Sequence, residues 1–333
     1  MDKVSIVVPA YNAANTIERC IKSVINQNLK NWELLVIENS STDNTTAIVK
    51  KYVNNSNIFL YHSQKGVSFA RNEGIKYATG DWIWFVDADD EIKSNLDNIF
   101  TLKSKDIDLI IGNYEKGKNI INLTNDSVDL AGKTLKELQL KMLDNPTKYM
   151  TVWSKLFKLE IIKKYNLQFD STLKVAEDSD FLFRYMNYIN NVYLVDKVIY
   201  KYSFSEGSAV RTIDLKNIKN YKKAMEAIEK NKGIDKDIDK SIEKYIVAHF
   251  FISMVREVFI NSELSWSQKL SYMKKAKNEG VYKRAIKSLK LKDICKSPYL
   301  LPGLFLKYNF KLLPALAFKL KAELNERKEN EKY

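Results

Sequence analysis

The sequence predicts an α/β fold: a mostly parallel sheet flanked by helices, followed by a helical C-terminal extension. Three observations predict it. Over residues 1–90, short runs rich in Val, Ile and aromatics alternate with segments of helical spacing. Polar residues collect at the C-terminal ends of those runs. After about residue 215 the strand pattern stops and helical spacing takes over. Strand–helix–strand succession calls for right-handed crossovers, and these make neighbouring strands parallel.

The strands are expected at "VSIVVPAY" (4–11), "WELLVIEN" (32–39), "NIFLYHS" (57–63) and "WIWFVDA" (82–88). Between the first two, Ile17, Ile21, Val24 and Ile25 repeat at helical spacing, with Asn15 or Thr16 as the cap. Thr42 or Asp43 is expected to cap the next helix. Ser68 is expected to cap a third, which ends near Gly80. From about 106 to 212 the pattern is mixed. "DIDLIIGNY" reads as a strand, "TLKELQLKML" and "VWSKLFKLEIIKKY" read as helices, and "NVYLVDKVIYKYS" holds strands. Beyond 215 come helical segments such as "DKSIEKYIVAHFFISMVREVFI". The predicted division is therefore 1–215 and 216–333.

With 333 residues and 45% hydrophobic content, the chain can bury a large core and a smaller one. Its two cysteines, Cys20 and Cys295, and two histidines, His62 and His249, stand in no metal or redox spacing. A reduced, cytosolic chain without a His/Cys zinc site is the simplest reading. The N-terminus runs straight into a strand pattern without the features of a secretory signal, and no run of 18 apolar residues occurs. The net charge of +13 is carried entirely by residues 216–333, which hold 27 basic and 14 acidic residues. Such asymmetry points to an anionic partner for that third.

In an α/β sheet, ligands bind beyond the C-terminal ends of the strands. Here those ends are Tyr11-Asn12, Glu38-Asn39-Ser40 and Asp87-Ala88-Asp89-Asp90. Carboxylates spaced along a strand end can converge on one hard cation, and Mg²⁺ commonly sits between one or two carboxylates and substrate phosphates. A helix start is the competing reading of the same acids, and it suits Glu91. Other phosphate sites fail on their motifs. There is no G-x-G-x-x-G for a dinucleotide; nor, for a different chemistry, is there a G-x-S-x-G to support a serine hydrolase. "GNYEKGKN" (112–119) departs from the phosphate loop at Asn119 and reads as a turn between strands.

The segments "VSIVVPAYNA", "ELLVIENSSTDNT", "GVSFARNEGI" and "GDWIWFVDADDEI" stand in the order and spacing of family 2 glycosyltransferases. "WSKLFKLEIIKKYNLQFD" and "VAEDSDFLFRY" resemble the second half of bacterial members that build capsule, cell-wall or lipopolysaccharide glycans. The likeness covers about residues 3–210. It implies the GT-A fold, which is Rossmann-like. It also implies inverting transfer of a sugar from a nucleotide-diphosphate donor to an acceptor hydroxyl on a glycan or lipid-linked acceptor.

The resemblance carries the following roles. Asp87 and Asp89 match the family's D-x-D motif, with Ala88 between them; Asp89 is the direct ligand of Mn²⁺ or Mg²⁺, with Asp90 close by. Pro9, Ala10, Tyr11 and Asn12 match the "PAYN" strand end that lines the nucleotide pocket. Glu38-Asn39-Ser40-Ser41 replaces the usual D-D-G-S, so Asn39 stands where an acid binds the base. An amide oxygen can accept from a uracil N–H, whereas its NH₂ suits another base, so a UDP-sugar is the default donor. Lys65 and Arg71 are expected at the phosphates, or Arg71 in a structural salt bridge. Glu177-Asp178 matches the family's E-D pair, which makes Asp178 the base; a first-turn helix acid is the competing reading. Trp153 begins the acceptor side, where it either stacks on a sugar or packs in the core.

"VYKRAIKSLKLKDICK" (281–296) carries six basic residues and one acid, and the apolar stretch 297–321 follows with spaced lysines. Basic and apolar content together suggest a segment lying in a membrane interface, against the alternative of a helical hairpin packed on the catalytic domain. Pro298, Pro302 and Pro314 imply short broken helices there. The expected location is the inner face of the cytoplasmic membrane. No recognition motif supports nucleic acid. A nucleotidyltransferase and an inactive carbohydrate-binding relative remain the rival readings.

Overall fold

The computed structural model describes residues 2–27, 29–93, 106–124, 128–203, 213–233 and 235–330. The chain forms two compact units. One comprises 1–138, 147–171 and 177–208; the other comprises 139–146, 172–176 and 209–333.

The first unit is built on a sheet of ten strands among the described residues, in the order β3-β2-β1-β4-β9-β6-β10-β5, with β7 on β6 and β8 on β10. Strands β1 (Val4–Ala10), β2 (Trp32–Glu38), β3 (Ile58–His62) and β4 (Trp82–Phe85) run parallel. All of β1, all of β4 and nearly all of β2 are buried, as expected for central parallel strands covered on both faces. Their run-like apolar content is why these strands were legible in the sequence.

Beyond β4 the sheet mixes directions. After β5 (Glu91–Ile92) come β6 (Leu109–Lys116), β7 (Asn119–Ile121) and β8 (Val128–Ala131), and then β9 (Lys155–Lys158) and β10 (Asn191–Tyr202). β9 lies antiparallel between β4 and β6. β10 is parallel to β6 but antiparallel to β5 and β8. Within "GNYEKGKN" only Gly117-Lys118 form the β6–β7 turn; residues 112–116 lie in β6 and Asn119 opens β7.

Helices α1 (Ile17–Ile25), α2 (Thr45–Lys50) and α3 (Val67–Tyr77) fill the crossovers. They are followed by α4 (Gly132–Asp144), α5 (Pro146–Tyr149), α6 (Leu159–Lys164) and α7 (Glu177–Met186). α3 packs on β1 and β2. Gly74 allows this, since a Cβ there would lie 2.2 Å from Val7 Cγ1.

Several expectations are corrected. "VWSKLFKLEIIKKY" is not one helix: Lys155–Lys158 is β9, and α6 begins only at Leu159. Pairing with β4 and β6 buries Leu156 and Phe157, so sheet packing overrides the local helical spacing. β4 ends at Phe85 rather than at residue 88. Thr16 stands at the N-cap position but makes no side-chain cap bond; its hydroxyl donates to Ala13 O. Ser68 lies inside α3, with its hydroxyl buried and unbonded among the described residues. Gly80 does not end α3. It is needed because a Cβ would sit 2.7 Å from Lys3 O. The N-cap of α2 is Asn44, not Thr42 or Asp43, and it makes no side-chain cap bond; Asp43, one residue earlier, accepts from the Thr45 N–H at 3.0 Å.

The second unit is helical. α8 (Asn217–Glu229) and α9 (Lys236–Ser253) pack together, and α9 runs on into a π-helical turn, Met254–Phe259. α10 (Trp266–Lys277), α11 (Gly280–Ser288), α12 (Leu291–Lys296), α13 (Leu301–Lys307) and α14 (Leu312–Asn330) follow. Asp235 caps α9 through the N–H groups of Asp237 and Ile238, and a Ser265–Gln268 capping box starts α10. His249 is buried, with Nδ1 at 3.0 Å from Tyr245 O. Pro302 and Pro314 fall in the first turns of α13 and α14, where the missing N–H costs no helical bond. The prolines therefore start helices here, and α14 is a long one. No helix among the described residues is long and apolar enough to cross a membrane.

Val7 is fully buried and stiff at χ1, so α3 has no room to accept a side chain at 74. Gly74→Ala is expected to lower stability by about 1–3 kcal/mol, read from the urea midpoint. Adding Val7→Ala should recover part of that loss. An unchanged midpoint in Gly74→Ala would contradict this seating of α3.

Candidate active site

The site is assembled at the C-terminal ends of β1, β2 and β4. After β1, Asn12 takes a left-handed conformation with φ +46°, one that Asn tolerates well. Its Oδ1 accepts from the Thr42 N–H at 2.8 Å, and its own N–H donates to Ser41 Oγ at 3.1 Å. Asn12 thus ties the β1 loop to the β2 loop. Asn12 is exposed, whereas Glu38 is buried: it accepts from the Ser41 N–H and lies 3.1 Å from His62 Nδ1. Pro9 and Ala10 are buried strand residues, whereas Tyr11 is exposed. Lys65 Nζ donates to the Tyr11 hydroxyl at 2.8 Å and lies 4.6 Å from the ring centroid.

Asn39 is buried, and its Oδ1 accepts from the Gly66 N–H, the residue before α3, at 2.7 Å. That bond fixes the amide orientation, because only the oxygen can accept. The side chain is left to offer its NH₂, a donor, to anything bound beside it.

The acids after β4 divide by environment. Asp87 is about one-third exposed, and its Oδ1 accepts from Arg71 Nη2 at 3.1 Å. Its backbone N–H donates to the Tyr200 hydroxyl at 3.2 Å. Asp89 is half-buried, and its carbonyl accepts from Arg19 at 2.7 Å. Asp90, expected near the metal, is instead buried and turned inward. Its Oδ2 accepts from Tyr200 at 2.5 Å and its Oδ1 from the Ser203 N–H at 2.7 Å. Burial, together with the charges of Asp87 and Asp89, pushes its carboxyl up to about 9. Glu91 does not start a helix; it lies in β5 and pairs with Lys201 at 2.8 Å. Among the described residues, no group of three or more His, Cys, Asp and Glu side chains is gathered for a metal ion.

Arg71 is the hub. Its side chain is only 4% exposed and meets three carboxylates: Asp87, Glu177 at 3.3 Å, and Asp178. Burial works against the guanidinium charge, but Asp178, Asp87 and Glu177 hold it charged. Its Nε is buried without a hydrogen-bond partner among the described residues. Asp178 opens α7, and the Val152 N–H also bonds its carboxylate. Burial pushes Asp178 up; Arg71 pulls it down, Glu177 and Asp87 push it up again, and it stands at about 7.

Beside Val152 the chain turns through Ser154, at φ +57°, whose hydroxyl donates to Gly112 O at 2.8 Å. Lys155 follows, fully buried and 3.5 Å from Thr151 Oγ1. Burial lowers its ammonium to about 7, against the pull of Asp178. Trp153 is buried: it stacks on Tyr200 at 5.0 Å and meets Tyr114 edge-on at 4.7 Å. Its rings are taken up by protein neighbours, so the packing alternative describes its place.

The sequence profile described as "Glycosyl transferase family 2" matches residues 5–165. Residues 5–165 form a glycosyl transferase family 2 domain. This glycosyltransferase is 28% identical over 266 residues to the putative glycosyltransferase EpsH of Bacillus subtilis (strain 168), covering 76% of this chain and 77% of EpsH. It is 30% identical over 196 residues to the poly(ribitol-phosphate) beta-N-acetylglucosaminyltransferase TarP of Staphylococcus aureus (strain N315). That match covers 56% of this chain and 58% of TarP, so it spans just over half of each. Among solved structures, S. aureus TarS 1-349 in complex with UDP-GlcNAc superposes with a TM-score of 0.68 at 18% identity, covering 98% of this chain and 92% of that one. The last likeness supports the GT-A fold, with its curled, mostly parallel sheet, and a helical C-terminal region.

The fold therefore brings Asp87, Arg71, Glu177 and Asp178 into one cluster, with Asn39 and the Tyr11–Lys65 pair at the neighbouring strand ends. It turns Asp90 and Trp153 away into packing. Sequence reasoning missed Tyr200 and Lys155. Tyr200 lies 110 residues from Asp90, and no local pattern connects them. Lys155 had a signal, a lysine inside an apolar "KLF" run, but the helical reading hid it.

Removing Arg71 would leave three carboxylates facing one another with little water. Arg71→Met is expected to cost about 3–5 kcal/mol in urea unfolding. Adding Asp178→Asn in that background should recover part of the loss by removing one charge. No change in Arg71→Met would contradict the burial of the cluster.

Proposed function

We propose that this glycosyltransferase moves a sugar from a nucleotide-diphosphate donor to a hydroxyl of a glycan or lipid-linked acceptor, with inversion at the anomeric carbon. The setting is bacterial surface-polysaccharide synthesis at the inner face of the cytoplasmic membrane. The observation that carries the reading is the Arg71 cluster. It joins Asp87, at the strand end where the donor is expected, to Asp178, the proposed base. The poly(ribitol-phosphate) chemistry in the name of TarP supports the pathway class.

The donor side rests on Tyr11, Lys65 and Asn39. Lys65 is an exposed cation suited to a phosphate, and the Tyr11 ring offers a face for a base. UDP-sugar is the proposed donor, supported by the UDP-GlcNAc bound to TarS. Because Asn39 gives its oxygen to Gly66, it would meet uracil through a carbonyl oxygen, which accepts, and not through the N3–H.

Two carboxylates, Asp87 and Asp89, stand at one strand end without a third ligand from the described residues. That set fits Mg²⁺ or Mn²⁺, which keep positions open for phosphate and water. Asp87 and Asp89 would hold such an ion, which would supply charge stabilisation to the leaving diphosphate. Asp90, with both oxygens bonded to protein, braces β10 against the β4 loop.

Asp178 takes the acceptor's proton as the hydroxyl oxygen bonds to the anomeric carbon and the nucleoside diphosphate leaves. Arg71 holds the carboxylate through Oδ1. A base with an affinity midpoint near 7 suits proton transfer at neutral pH.

Asp178→Asn is expected to cut kcat by about 10²–10⁴-fold while leaving donor binding intact, measured by single-turnover transfer and calorimetry. The base must be ionised to act, so kcat/KM of the wild type should rise with pH through about 7. Normal turnover in the variant, or an acid limb at an ordinary carboxylate value, would sink the assignment. Nucleotide retained on the product would favour a nucleotidyltransferase instead.

A further inference from the structure

Helix α14 is apolar on two opposite sides. One side is core: Ala315, Phe318 and Ala322 are buried, and Phe318 packs against Phe250, Phe251 and Phe259. The other side faces outward with leucines at helical spacing. Leu312, Leu316, Leu320 and Leu324 are 62%, 49%, 60% and 51% exposed, and Leu313 beside them is 50% exposed. An ordinary surface helix shows charge there. Just before it, Tyr308 and Phe310 are 63% and 57% exposed. Such an exposed patch marks a contact surface.

The charge around the stripe says which kind. Residues 297–322 hold four lysines and no Asp or Glu. Lys311, Lys319 and Lys321 are exposed on or next to α14. Lys269 and Lys277 of α10 come close: Lys277 donates to Asn309 at 2.6 Å, and the ammonium groups of Lys319 and Lys311 disfavour those of Lys269 and Lys277. The nearest acids on the helix are Glu323, paired with Lys319 at 3.7 Å, and Glu326. A second copy docked through the same stripe would set these lysines against themselves. An anionic lipid surface neutralises them and takes the leucines into its interface.

We propose that the outward leucine face of α14, with Tyr308 and Phe310, is the surface by which this enzyme lies on an anionic membrane. The helix runs in the plane of the interface, leucines down and lysines at the headgroups. This gives residues to the membrane placement proposed above and rests on it. Its test needs no catalysis, so the two can fail separately.

The full chain is mixed with sedimentable vesicles of phosphatidylcholine, alone or with about a third phosphatidylglycerol. The wild type should pellet with the anionic vesicles and far less with the neutral ones. Leu316→Ser with Leu320→Ser should lower the partition coefficient by about tenfold or more, with the unfolding midpoint unchanged because both positions are exposed. Lys311→Gln with Lys319→Gln should reduce binding to the anionic vesicles only. Wild type that stays in solution, or leucine variants that bind as well as wild type, would overturn the proposal. So would leucine variants that turn a dimer into a monomer in analytical ultracentrifugation without changing vesicle binding.

Discussion

One buried guanidinium organises the sheet-bearing unit. Arg71 is nearly inaccessible to water, yet it holds a charge among Asp87, Glu177 and Asp178. None of these four groups tolerates burial alone. Together they form a set in which one positive charge is shared by three acids, and each acid is fixed in position by it. The arginine comes from α3, Asp87 from the end of β4, and the two other acids from the start of α7. Three separate elements are therefore held in register by one side chain. The close seating of α3 on β1 at Gly74 fixes where that side chain begins.

A second ring of contacts stiffens the same region from the other side. Tyr200 reaches from β10 to the Asp87 N–H and to the Asp90 carboxylate, and Trp153 stacks on its ring. The inward turn of Asp90 spares the outer acids from crowding with a third exposed carboxylate. Lys155 is fully buried near Asp178: burial disfavours its ammonium form, and the Asp178 charge favours it. The acids of "DADD" are thus not equivalent: Asp87 and Asp89 stay partly exposed, and Asp90 is part of the scaffold.

Much of this was legible in the sequence because its signals are local. Buried parallel strands read as continuous apolar runs, so β1 to β4 stood out. Asp87, Asp89 and the Glu177-Asp178 pair stood out as acids in known patterns. What was hidden depends on long-range pairing. β9 carries a helical spacing that only its neighbours β4 and β6 override. Tyr200 looks like any strand tyrosine until β10 is placed beside β5. The direction of the Asn39 amide follows from the Gly66 N–H, which no composition reveals. The prolines near the C-terminus told half the story: Pro298 and Pro302 lie in short helices as expected, but Pro314 falls in the first turn of the long α14, where proline is well tolerated. The outward leucines of α14 could be counted in the sequence, yet which side of the helix met the core could not.

The central claim is that Asp87 and Asp178 act as one electrostatic unit through Arg71. A double-mutant cycle on unfolding free energy tests it most directly, with Asp87→Asn, Asp178→Asn and the pair. The account predicts a coupling energy of at least about 0.5 kcal/mol, because each acid changes what the shared guanidinium does for the other. Strict additivity would contradict it.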